Sequence, residues 1–76
     1  MKILGWEFHQ LAFGLDLSRN GIRIQTTPPL EEGWVVYLLS SDGTLQPRYC
    51  RVVWARAGRP EQQCEAGLEF LPHLPA

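Results

Sequence analysis

Residues 14–27 read GLDLSRNGIRIQTT, and the fold turns on how this stretch is read. In its second half Ile22, Ile24 and Thr26 share one phase and Arg23, Gln25 and Thr27 the other. That is the two-residue period of a strand with one buried face. In its first half a carboxylate, a hydroxyl and two arginines (Asp16, Ser18, Arg19 and Arg23) crowd the entrance to that strand. Such groups serve either a turn or a ligand. The period returns near the end of the chain, where Cys64, Ala66, Leu68 and Phe70 alternate with Glu65, Gly67 and Glu69. No segment carries a 3.6-residue stripe, so the partners of these strands must be other strands.

The remaining apolar runs supply them. Trp34 to Leu39 and Val52 to Ala55 are apolar at almost every position. Such runs are expected to be covered on both faces or to sit where a barrel closes. Near the N-terminus Leu4, Trp6 and Phe8 share one phase, and Leu11, Phe13, Leu15 and Leu17 the other. A turn or bulge near His9 and Gln10 would absorb the slip. Thr27-Pro28-Pro29 ends one strand, while Ser41-Asp42-Gly43 and Ala57-Gly58-Arg59-Pro60 read as turns. Five or six short strands with no substantial helix predict an all-β fold, a small antiparallel barrel. The 76 residues are expected to form a single domain, 1–76, with the barrel over about 3–71 and 72–76 as a flexible tail.

Composition narrows the function classes. Hydrophobic residues make up 45% of the chain and charged ones 20%, too apolar for disorder. The apolar runs fall far short of the roughly 20 residues that span a bilayer, and no basic segment leads into an apolar block. The expectation is a cytoplasmic protein without membrane insertion. A net charge of -1 argues against DNA or RNA as partner, because phosphate binding needs a surplus of cations on one face. Six of the seven basic residues are arginine, the planar fork suited to phosphates and guanine edges and also common as plain surface charge.

Catalytic and metal readings find little support. His9, Asp16 and Ser18 do not surround a G-x-S-x-G elbow, and no pair of carboxylates is placed for acid–base work, so no catalytic residue is assigned. If the last two strands pair as a hairpin, Cys50 lies opposite about position 69 and Cys64 opposite about position 55. The offset is roughly 17 Å along the strands, too far for a disulfide. Both thiols are expected reduced and near the core, and the spacing of Cys and His does not suit zinc. Of the eight aromatic residues most are expected to fill the core, with Trp6 and Trp34 the candidates for exposure. An exposed tryptophan beside Arg51 or Arg56 would offer a stacking platform for a base, or an anchor for a protein.

The run Asp16-Leu17-Ser18-Arg19-Asn20-Gly21, followed by the alternation of Ile22 and Ile24, resembles the D-x-S-x-x-G motif of PilZ domains. These are small bacterial barrels that bind cyclic di-GMP. The proline-rich segment Thr27 to Leu30, the strand opening at Gly33, Arg51-Val52-Val53-Trp54 and the closing Ala66-Gly67-Leu68-Glu69-Phe70 follow the family's order. The similarity runs over roughly residues 11–71. It implies that Asp16, Ser18 and Gly21 contact the nucleotide, with Arg19 and Arg23 as the nearby arginines. A carboxylate accepts the paired N–H donors of a guanine edge, and a hydroxyl two residues on projects from the same face. Gly21 would supply a positive φ or let a ligand approach the backbone. An equally physical reading has Asp16 and Ser18 satisfying backbone donors in a turn that Gly21 closes.

The chain departs from the family in two places. Nucleotide-binding members carry an R-x-x-x-R segment just upstream of the first barrel strand, whereas here only Lys2 is basic ahead of Asp16. Arg19 and Arg23 have the four-residue spacing but lie inside and after the motif, so the role does not pass to them. Many members also continue into a C-terminal helix, where this sequence has Pro72 to Ala76. The chain is thus either a reduced adaptor or a fragment whose upstream arginines lie outside it. The expectation is a signalling or adaptor domain of the cyclic di-GMP family, with weak or absent nucleotide binding, no cofactor, and a protein partner. The alternative is a protein-interaction module of motility or pilus assembly that binds no nucleotide, and an oligonucleotide-binding barrel ranks third.

Overall fold

A computed structural model of the chain describes residues 1–5, 8–27, 29–40, 43, 45–58 and 64–72. Six strands account for most of them: β1 (Lys2–Gly5), β2 (Phe8–Leu17), β3 (Gly21–Thr26), β4 (Val35–Leu39), β5 (Arg48–Arg56) and β6 (Cys64–Phe70). All pairs are antiparallel, and the order β1-β2-β3-β6-β5-β4 closes when β4 pairs with β1 through Lys2↔Leu39, Ile3↔Leu38 and Leu4↔Tyr37. The expected small antiparallel barrel is therefore what forms, with no helix among the described residues. Closure leaves no strand with a free hydrogen-bonding edge.

Alternation predicted β3 and β6 well. Ile22, Ile24 and Thr26 point inward, as do Cys64, Ala66 and Leu68. They meet Ile3, Ala12, Val36, Leu38, Cys50 and Val52 in one cluster. Among the described residues none of the buried ones is aromatic. Phe13 is 74% exposed, Trp34 38% and Trp54 37%, while Tyr37, Tyr49 and Phe70 are half-buried. The expectation of an aromatic core is thus overturned. A closed barrel of six strands has a narrow interior that branched aliphatic side chains fill, and an indole or phenyl ring does not fit among them.

The slip near the N-terminus does not fall at His9 and Gln10. Both belong to β2, which pairs with β1 from Gly5↔Phe8 to Lys2↔Leu11. Trp6 itself lies outside the described residues. The slip in β2 is absorbed instead at Leu15, because Gly14 faces Ile24 and Asp16 faces Arg23. Ala12 and Gly14 take the inward positions, which turns Leu11 and Phe13 to the outside. Leu17, opposite inward-facing Ile22, no longer shares their phase.

Neither of the continuous apolar runs is buried on both faces. In β4 only Val36 and Leu38 are buried, and the strand's position is explained by the closing pair with β1. In β5 a bulge at Val53 shifts the register between Val52 and Trp54, so Val52 is fully buried while Val53 and Trp54 are exposed. The register of the β5–β6 pair also differs from the expected one. Cys50 faces Phe70 rather than residue 69, and Cys64 pairs with Thr26 of β3. Both cysteines are buried and not joined in a disulfide. Burial raises the Cys50 thiol to about 11, with Arg48 pulling it back only in part, so it stays protonated at neutral pH.

Of the expected turns, Gly43 has a φ of 77° that suits glycine, while Ser41, Asp42, Arg59 and Pro60 lie outside the described residues. The same holds for residues 73–76.

Ile24→Ala is expected to cost about 2–5 kcal/mol, as for other buried large-to-small changes. Phe13→Ala should cost less than about 0.5 kcal/mol in the monomer, despite removing a larger side chain. Urea unfolding of the two variants at low protein concentration checks this, and a larger cost at Phe13 would contradict the assignment of its face.

Candidate functional site

The motif Asp16 to Gly21 is the β2–β3 hairpin. Ser18 donates its backbone N–H to the carbonyl of Gly21 at 2.9 Å, closing a loop around Arg19 and Asn20. The Ser18 hydroxyl donates to the same carbonyl at 3.3 Å. The Asn20 carbonyl accepts the Phe70 N–H at 2.8 Å, which ties the loop to the end of β6. This is the turn-closing role that Ser residues take when their oxygen sits near backbone groups.

Gly21 has a reason of its own. It does not hold a positive φ; among the described glycines Gly33 and Gly43 do. A Cβ at residue 21 would instead collide with the Leu68 carbonyl of β6, so the seam between β3 and β6 closes only around glycine. Gly67 is a second such place. There a Cβ would strike the indole of Trp54, which lies across the outer face of β6 from its position opposite Gly67.

Around the hairpin runs a groove of about 420 Å³, lined by Asp16, Leu17, Ser18, Asn20, Gly21, Ile22, Arg23, Val53, Trp54, Gly67, Leu68 and Glu69. Its size lies within the range of small-ligand pockets. Four of the five residues that the resemblance singles out, Asp16, Ser18, Gly21 and Arg23, come together here. The fifth, Arg19, is exposed in the loop and is not among the lining residues. His9 stands seven residues before Asp16 on β2, about 20 Å along extended chain, so it is not brought to Ser18.

Sequence reading missed the floor of the groove. Trp54 and Val53 come from β5 across the bulge, and neither is near the motif in sequence. The available signal was Gly67, a glycine interrupting a strand, which marks close approach by another group. The Arg56 guanidinium lies 5.8 Å from the Trp54 ring centre, so the exposed tryptophan beside an arginine is Trp54, while Trp34 is exposed as expected.

The electrostatics of the groove are close to neutral. Arg23 is the one cation among the lining residues, facing Asp16 at 4.0 Å and Glu65 at 3.3 Å. Glu65 also holds Arg56 at 3.4 Å. Glu69 adds a further carboxylate to the rim. A second cavity of about 620 Å³ lies apart from the motif, where Tyr37 and Tyr49 stack at 4.7 Å and Arg48 sits 4.4 Å over Phe70.

Among comparisons with known proteins, the family model described as the PilZ domain matches residues 6–76. No curated protein matches the chain, and no solved structure does.

The two glycines predict different outcomes. Gly21→Ala should destabilise by on the order of 1–3 kcal/mol, because the obstacle is backbone. Gly67→Ala should cost less than about 1 kcal/mol, because the exposed indole swings aside, and it should shift tryptophan fluorescence to longer wavelength. Thermal unfolding followed by fluorescence measures both; equal costs would contradict the packing described.

Proposed function

Since the chain belongs to the PilZ domain family, a family of cyclic di-GMP signalling and adaptor domains rather than catalysts, we propose that it is an adaptor whose 76 residues bind the nucleotide weakly or not at all. The observation that carries this reading is the state of Arg23. Its guanidinium already faces two carboxylates, and the groove offers no second cation among its lining residues. A doubly anionic ligand entering here would have to compete with Asp16 and Glu65 for one positive charge. Each bidentate charge-assisted contact contributes about 1.5–3 kcal/mol. Two such contacts amount to roughly two to four powers of ten in affinity.

Asp16, Ser18 and Gly21 remain the residues proposed to touch any bound nucleotide, with Arg23 and Arg19 beside them. Ser18 and Gly21 have structural duties whether or not a ligand is present. Asp16 is free of such duty: its side chain is 74% exposed and its contact to Arg23 is long. A cytoplasmic location is part of the proposal, supported by two reduced thiols, and no helix among the described residues is long and apolar enough to cross a membrane.

A second reading, a protein-interaction module of motility or pilus assembly that binds no nucleotide, is favoured by Trp54. An exposed indole flanked by arginine is a common anchor in protein interfaces.

Calorimetric titration of the 76-residue chain with cyclic di-GMP at moderate salt tests the proposal. No saturable heat at micromolar ligand is expected, and any binding that emerges toward millimolar should vanish in Asp16→Ala, with unfolding unchanged within about 0.5 kcal/mol. Saturable binding at micromolar ligand would contradict it.

A further inference from the structure

Strand β2 turns its large apolar side chains away from the core. Leu11 is 70% exposed, Phe13 74%, and Leu15, at the bulge, 41%. Their neighbours on the outer face extend the patch. Leu4 and half-buried Tyr37 and Leu39 flank it across β1 and β4, and Gln25 lies opposite Phe13 on β3. Exposed His9 lies opposite Leu4, and Lys2 lies opposite Leu11. Exposed leucines and a phenylalanine on this scale present on the order of 400 Å² of apolar surface, the size at which a patch marks an interaction site.

We infer that this face is the interface of a symmetric dimer, in which β2 packs across β2 of a second copy, antiparallel, about a two-fold axis at Phe13. Both neighbours of β2 are already paired, so the contact runs through side chains and not through strand edges. The choice of a second copy follows from self-complementarity. A two-fold at Phe13 sets Phe13 on Phe13 and brings Leu11 toward the exposed bulge residue Leu15. It also carries Lys2, which stands opposite Leu11, to the neighbourhood of Asp16 of the second copy. Lys2 thereby meets an exposed carboxylate whose contact to Arg23 is 4.0 Å. The other two-fold arrangement, with parallel strands, would set Asp16 on Asp16 and is disfavoured by like charge. Two such faces bury roughly 800 Å², below the ~1,200 Å² of stable specific interfaces, so the dimer is weak and concentration-dependent.

Sedimentation equilibrium of the nucleotide-free chain, from micromolar to millimolar, tests the inference. The mass should rise from one chain to two. Phe13→Ser should weaken association about 30-fold or more, as loss of a central aromatic anchor does. Its thermal melt at low concentration should match the parent's. Lys2→Glu and Asp16→Lys should each weaken the dimer about two- to fivefold. The double swap should restore it. A single-chain mass throughout, unchanged association in Phe13→Ser, or a double swap no better than either single variant would each overturn the dimer described. Nucleotide binding is not needed for any of these readouts, so the inference stands or falls apart from the proposed function.

Discussion

The width of the barrel is the constraint on which the rest depends. Six strands closed through β4 and β1 enclose a space that Ile3, Ile24, Val36, Leu38 and Val52 fill, with Ala12, Ala66 and two thiols completing it. No described aromatic residue is fully buried there, so the large rings are distributed over the surface. That displacement creates the features that matter for function. Trp54 floors the groove beside the hairpin, Phe13 crowns the outer face of β2, and Tyr37 stacks on Tyr49 beside Arg48. Two glycines permit the close approaches involved. Gly21 lets β3 lie against the Leu68 carbonyl, and Gly67 lets the Trp54 indole lie on β6.

The residues of the motif consequently divide by duty. Ser18 and Gly21 hold the hairpin and the β3–β6 seam, tasks the fold needs in any case. Asp16 and Arg23 face each other on the outside of the same hairpin, and Glu65 draws Arg23 toward Arg56 and the indole. The arrangement is a chain of alternating charges on one face of the barrel. It offers little net positive charge to a phosphate.

What the sequence made legible follows from its physics. β3 and β6 read correctly because most of their inward residues are apolar, charged Arg23, Glu65 and Glu69 take the other phase, and neither strand carries a bulge. β2 misled because its inward positions are Ala12 and Gly14 while its outward ones are Leu11 and Phe13, so hydrophobicity pointed away from the core. β5 misled through the bulge at Val53, which local pattern does not announce and which leaves Val53 and Trp54 exposed beside buried Val52. The hairpin portion of the site was visible because its residues are contiguous. Trp54 was not, since it reaches the groove only through the pairing of β5 with β6.

The most direct test is the pattern of nuclear Overhauser effects between side chains. The account predicts a dense network joining the methyl groups of Ile24, Val36, Val52 and Leu68, with no cross-peak from the Phe13 ring to Ile24 or Val52. A one-residue slip of β2 would turn every side chain of that strand to the opposite face. Cross-peaks from the Phe13 ring into the core methyls would show that slip and contradict both the aliphatic interior and the surfaces derived from it.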